Sequence, residues 1–384
     1  MNGAKGTITY CAGKDATGSG VAAVKKFNGM HTGVTVTLRE FSPSTDEQRQ
    51  QFVQRLEAKS GECDVIEADV IWTAEFASQG WIYDMTPYAE ERRSEIIPAT
   101  LETATFDGKM WAVPHTTDAA FLYYRDDQVR TPPTTWQQVY EVAKQNDGIV
   151  YQGAPYEGLT CVFLELAFAA GGKVLSADGK RSEIDSPQNV KALQLMVDGV
   201  KDGTAANGVT TYMEDEARRY FESGKATFMR NWPYAYALSE RKGSQVAGKF
   251  KVMPLPQFEG GARSGILGGH NTVISVYSRN PGAALKWIEF YTGKEWQTKS
   301  FDRFSEPPTL AAVYGDPAIQ KRYAFATELR DAVTTAKSRP VSPVYPQISQ
   351  GIYTNVYAAL SGKVSAAAAI HAADADIAKA LATF

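Results

Sequence analysis

The first third of the chain alternates two hydrophobic periods, and that alternation limits the fold more than any other feature. Residues 7–12 and 34–38 read as strands, and residues 21–27 between them as a helix. Ser44 with Glu47 makes a capping-box signature for a second helix, which carries Phe52 and Leu56 inward. Residues 64–72 read as a buried strand, and Thr73 opens another helix. Repeated strand–helix–strand units build a mostly parallel sheet with helices on both faces. At 384 residues the chain exceeds what one hydrophobic core supports, so two domains are expected.

A second α/β region starts near Trp111. Residues 111–114 and 121–124 are strand-like, with a polar link over 115–118. Pro132-Pro133-Thr134-Thr135 stops the chain and caps a helix from Trp136. Further helices are read over 159–170, 188–200, 214–222, from Pro281 to Phe290, and over the Ala-rich 365–382. Residues 250–253 and 271–276 are strands.

Composition and motifs remove several function classes. Hydrophobic content of 43% and charged content of 22% are those of a globular chain. A formal charge of −3 gives no electrostatic case for nucleic acid or an anionic membrane. Cys11, Cys63 and Cys161 form no zinc-type spacing with the four histidines. Cys11 ends one strand-like run and Cys63 begins another, so three free thiols are expected. Met1-Asn2-Gly3 carries no basic or apolar signal region, which suits a cytoplasmic protein or an exported one without its signal. No hydrolase, zinc-protease, redox or Walker motif occurs. The loop Gly13 to Gly20 fits neither phosphate-binding fingerprint, although amides at a helix start can still hold ligand oxygens. Asp69, Asp118 and Glu214 lie where strands end or helices begin, as ligand groups do in α/β folds. Two such acids would serve a glycosidase; each can equally accept sugar hydroxyls without chemistry.

The run Arg230-Asn231-Trp232-Pro233-Tyr234-Ala235-Tyr236 displays aromatic rings around a proline turn. An indole face is flat and apolar and matches the C–H face of a pyranose. With this run, several segments share the pattern of one family: Asp69-Val70-Ile71-Trp72-Thr73-Ala74-Glu75-Phe76, Asp118 to Arg125, Pro132 to Trp136, Tyr156-Glu157-Gly158-Leu159, Leu267-Gly268-Gly269, and Arg339-Pro340 with Pro343-Val344-Tyr345. In that set and order the chain resembles the extracellular solute-binding proteins of ABC sugar importers, in particular the trehalose/maltose-binding branch.

The resemblance implies an α/β fold of two lobes, the type II periplasmic-binding-protein fold, with each lobe a mostly parallel sheet flanked by helices. The lobes are expected over 1–114 plus 272–316 and over 115–271 plus 317–384, with a hinge between them. It implies a disaccharide, trehalose or maltose-like, bound in a cleft and delivered to permease subunits by lobe closure. By match to the family, the ligand-binding residues are Gln48, Arg49, Asp69, Asp118, Glu214, Trp232, Tyr234, Gly268, Gly269, His270 and Arg339. Trp232 and Tyr234 match the aromatic platform, Gly268 and Gly269 a backbone-donating turn, and Arg339 a late arginine that reaches the sugar. His270 stands where relatives often carry an aromatic residue, Thr116-Thr117 where some place a tyrosine, and Lys14-Asp15 departs from the first-loop acid. The resemblance further implies a non-enzymatic monomer without cofactor or metal, periplasmic or extracellular, with a lipid-anchored precursor as one form. The alternatives are another oligosaccharide or a polyol in the same fold, or a glycosidase using Asp69 with Asp118 or Glu214.

Overall fold

The computed structural model describes residues 4–383; Met1 to Gly3, read above for a signal region, lie outside the described residues. In chain order the strands are β1 (Gly6–Gly13), β2 (Val34–Phe41), β3 (Val65–Asp69), β4 (Thr105–Phe106), β5 (Lys109–Met110), β6 (Val113–Ala119), β7 (Phe121–Arg125), β8 (Ile149–Val150), β9 (Phe228–Asn231), β10 (Phe250–Pro254) and β11 (Leu267–Ile274). The described residues form two compact units, one of residues 4–118 and 267–334, the other of residues 119–266 and 335–383. Residues 317–334, assigned to the second lobe on sequence, pack in the first unit. So do 115–118 and 267–271. The polar link over 115–118 continues β6, and the last passage of the chain falls at the end of the helix Ala326–Thr335.

The first unit holds a sheet in the order β2-β1-β3-β11-β6, with β4 and β5 as a separate pair. β1 runs parallel to β2 and to β3, as the alternating pattern requires. β11 returns from distant sequence and pairs antiparallel with β3. Its core forms where Ile8 and Tyr10 of β1 and Val36 of β2 meet Phe27, Trp287 and Tyr291. Trp287 and Tyr291 lie on the helix Pro281–Tyr291, opened by a proline and capped by Asn280, whose side chain accepts from the Ala283 amide. The expected Ser44 capping box is absent: Ser42 takes Glu47, its hydroxyl donating to that carboxylate at 2.7 Å, and Ser44 makes no side-chain cap.

Cys11 and Cys63 form a disulfide with Cα atoms 5.7 Å apart, contrary to the expectation of three free thiols. Two features explain the difference. β1 runs on past Cys11 to Gly13, so Cys11 is not at a strand end. The chain turns at Gly61-Glu62 and bends at Asp64 before β3 begins, which swings Cys63 towards β1. Asp64 fixes the bend: its amide donates to the Thr9 carbonyl, and its carboxylate accepts from the Thr9 amide at 2.8 Å.

The second unit has a sheet in the order β10-β7-β9-β8. It is mixed, not mostly parallel: β7 runs antiparallel to both neighbours, and only β8 with β9 is parallel. β7 follows β6 after the single residue Ala120, so no crossover helix sets its direction. The helix Glu157–Ala169 is buried along its whole length and packs on the helices Pro187–Lys201 and Tyr345–Leu360. The Ala-rich tail is the helix Ala366–Leu381, with Ser365 as its cap. Small residues let it lie close to Tyr345–Leu360; a Cβ on Gly351 would stand 2.9 Å from that of Asp376.

Candidate ligand-binding site

In the first unit the predicted groups gather at the ends of β3, β6 and β11. Asp69 closes β3 and is buried; its carboxylate accepts from the Ile71 amide at 3.1 Å. His270 lies directly across from it in the β11–β3 register. Gly268 and Gly269 lie within β11, not in a turn. Gly269 has φ +112°, and a Cβ there would stand 2.4 Å from the Thr116 carbonyl oxygen, so the close approach of β6 excludes a side chain. The Gly269 carbonyl accepts from the Val70 amide. Asp118 is half-buried near the end of β6.

Gln48 and Arg49 lie on the helix Thr45–Glu57. Gln48 is buried with its carboxamide against Gly13, and its Nε2 has no hydrogen-bond partner among the described residues. Arg49 is engaged by Glu75: Nε donates to Oε2 at 2.7 Å and Nη2 to Oε1. Its guanidinium is thus oriented by a carboxylate while remaining partly exposed.

Behind these groups His270 joins a partly buried acid–histidine cluster whose other members, Glu67 and His115, the sequence reading did not single out. Glu67 meets His115 Nε2 at 3.2 Å, and His115 lies 6.1 Å from His270, ring centre to ring centre. Burial lowers the His115 pKa, against the pull of Glu67. His270 is raised: burial opposes its charge, and the carboxylates of Glu67, Asp69, Asp118 and Glu306 outweigh it. The loop before the helix Ser19–Asn28 joins the cluster through Thr17. Its hydroxyl lies 2.6 Å from Asp15 Oδ1 and 2.9 Å from Glu306 Oε1. One hydroxyl proton serves one of those contacts, and the other is satisfied when Glu306 is neutral. Burial, then the charge of Asp15, pushes Glu306 up to about 8.

In the second unit Trp232 directly follows β9, partly exposed. Its amide donates to Asn231 Oδ1 and its carbonyl accepts from the Tyr123 hydroxyl, each at 2.8 Å. Glu214 opens the helix Glu214–Glu222, and the Asn231 side chain donates to its carbonyl at 3.1 Å. Burial raises the Glu214 carboxyl above its usual range, against the Tyr156 hydroxyl and the charge of Arg230. Tyr234 is half-buried and precedes the helix Ala235–Ser239. Trp232, Tyr234 and Glu214 therefore form one group.

Arg339 is held in a different place. It is buried, and Nη1 donates to Glu157 Oε1 at 2.7 Å. The hydroxyls of Tyr345 and Ser349 donate to the same carboxylate. Glu157, Cys161 and Glu165 recur every four residues along the helix Glu157–Ala169 and so share one face. Arg339 pairs with the first and Arg230 with the last. Burial pushes the Cys161 thiol between them far up. The available signal was charge inside apolar runs: Glu67 in Val65-Ile66-Glu67-Ala68, Glu165 in Phe163-Leu164-Glu165-Leu166, and Arg230 after Phe228-Met229.

The sequence profile of the bacterial extracellular solute-binding proteins matches residues 14–298. A probable ABC transporter-binding protein of Deinococcus radiodurans is 34% identical over 399 aligned positions, covering 97% of this chain and 93% of its own. Among solved structures, the maltose-bound MalE3 of T. maritima superposes with a TM-score of 0.92 at 36% identity, over 98% of this chain and 99% of its own. A Thermotoga lettingae solute-binding protein bound to α-D-tagatose gives 0.89 at 26% identity, over 98% and 99% of the two chains.

Proposed function

The chain belongs to the bacterial extracellular solute-binding proteins, and from that premise we propose that it captures a disaccharide, trehalose or a maltose-like glucoside, and hands it to the permease of an ABC importer. Its family and its structural neighbours bind substrates and do not transform them; this protein is a binding protein and not an enzyme. Asp69, Asp118 and Glu214 are accordingly acceptors for sugar hydroxyls and not a hydrolytic pair.

The observation that carries the reading is the Trp232 group. A partly exposed indole with its backbone fixed on both sides offers a flat apolar face, and Glu214 and Tyr234 beside it offer polar atoms for hydroxyls. Asp69, His270, Asp118, Gln48 and Arg49 supply the polar groups of the first unit. Arg339, buried against Glu157, supports the fold of the second unit in place of the direct sugar contact the resemblance implied. The match with the maltose-bound MalE3 supports a glucoside. The Cys11–Cys63 disulfide supports work in an oxidising compartment outside the cytoplasm.

A second reading, a monosaccharide or polyol in the same site, draws on the tagatose-bound relative. Calorimetric titration with maltose, trehalose, tagatose and ribitol separates the two. Maltose or trehalose is expected to bind at least tenfold tighter than either smaller ligand. Tighter binding of tagatose or ribitol would replace the disaccharide reading.

A further inference from the structure

We propose that Arg230 is a positioning residue for the sugar platform: clamped by Glu165 and Gln152, its guanidinium backs one face of Trp232 and leaves the other as the stacking face. This rests on the reading of Trp232 as the platform. The guanidinium carbon lies 4.0 Å from the centre of the Trp232 ring, at stacking distance. Arg230 is 1% exposed and Glu165 and Gln152 are 0% exposed, so this face of the indole is closed to any ligand.

The clamp leaves the guanidinium little freedom. Nε donates to Glu165 Oε2 at 2.7 Å, Nη2 to Glu165 Oε1, and Nη1 to Gln152 Oε1 at 2.8 Å. Gln152 Nε2 returns to the Arg230 carbonyl at 3.3 Å. Two residues set the plane of the guanidinium, and that plane sets the plane of the indole stacked on it. The sequence positions serve this. Arg230 lies in β9 and Trp232 directly after the strand, two residues on, and Glu165 on the helix Glu157–Ala169 meets Arg230 from behind.

A buried ion pair is a poor device for stability alone, because apolar residues of similar volume often do as well. Its position beneath a partly exposed indole gives it a task that apolar residues would do less well. A planar cation fixes a ring by stacking and by attraction to its π face, whereas Met or Leu would leave the ring free to tilt. A platform ordered before binding loses less freedom when the sugar arrives.

The test is a set of variants titrated with maltose and trehalose. Arg230→Met with Glu165→Met removes both charges together, so neither is stranded, and Arg230→Lys keeps the charge but loses the plane. In the Trp232 background each is expected to weaken the better disaccharide by tenfold or more. In a Trp232→Ala background the same changes are expected to alter affinity less than twofold, because there is no ring left to orient. An equal loss in both backgrounds would assign Arg230 a merely structural role and overturn the proposal. Wild-type affinity in the double variant, with Trp232→Ala still weak, would overturn the brace and leave the platform standing. If Trp232→Ala binds normally, the platform reading itself fails and the brace with it. A readout independent of ligand is the near-UV circular dichroism difference between Trp232 and Trp232→Phe proteins. Loss of that difference in Arg230→Lys supports the brace, and its persistence counts against it.

Discussion

Single side chains divide into those that offer polar atoms to a ligand and those that hold the scaffold, and substitution separates the two. Asp118 is half-buried at the end of β6 among the groups assigned to the ligand. Asp118→Ala is expected to lower disaccharide affinity about tenfold or more, the scale of one charged hydrogen bond, with little change in the unliganded unfolding midpoint. Unchanged affinity in titration would remove Asp118 from the site. Arg339 is the opposite case. Arg339→Ala strands the Glu157 carboxylate in the core, and such losses cost about 3–5 kcal/mol. Denaturant unfolding of the unliganded protein should show that loss; wild-type stability with weakened sugar binding would return Arg339 to the ligand. The contrast also shows where sequence reasoning reached and stopped. The partial exposure of Trp232 was legible because an aromatic residue beside Pro233 has an unusual place to be. The ion pair of Arg339 with Glu157 was not, because sequence position says nothing about which buried carboxylate the guanidinium meets.

At the scale of elements, local pattern was legible and long-range pairing was not. The Thr135 cap, the parallel pairing of β1 with β2 and the tail helix all follow from periodicity and capping residues. The mixed sheet around β7 and the Cys11–Cys63 bond depend on register and on a bend at Asp64, which no local pattern encodes. That bond closes 52 residues of chain, and in the chain-entropy account a loop of that size contributes about 4 kcal/mol. A Cys11→Ser, Cys63→Ser double variant should unfold at markedly lower denaturant, and the wild type should fall to the same midpoint under strong reductant. Coincident oxidised and reduced curves would show that the bond does not form or does not stabilise.

Glu306 makes a second tie between elements. It joins Thr17, before the helix Ser19–Asn28, to Ser300 on the helix Lys294–Phe304. Its folded pKa of about 8 stands above the unfolded value of about 4.3, so the folded state keeps a proton that the unfolded state has released. Stability from this group is therefore fully present below about pH 4.3 and is lost as the pH rises towards about 8. Glu306→Gln mimics the neutral acid. Over that window the unfolding free energy of wild type should fall relative to that of the variant. Parallel pH curves for the two proteins would show that Glu306 ionises normally.

At the scale of the whole molecule, the chain passes between its two units three times, at 118/119, 266/267 and 334/335. The first passage runs straight from β6 into β7 with Ala120 between them, and the second enters β11 at Leu267. The proposed ligand groups are shared out: Gln48, Arg49, Asp69, Asp118 and His270 belong to the first unit, and Glu214, Trp232 and Tyr234 to the second. A sugar that draws on both sets binds best when they converge on it, so binding must shift the population towards convergence by as much as the two states differ in affinity. Small-angle scattering should give a smaller radius of gyration with saturating disaccharide than without. The unfolding free energy should rise in step with ligand, by about 2.7 kcal/mol at roughly a hundredfold excess over Kd. The two measurements test different links. A rise in stability with no change in radius of gyration would leave binding standing and refute closure on the ligand.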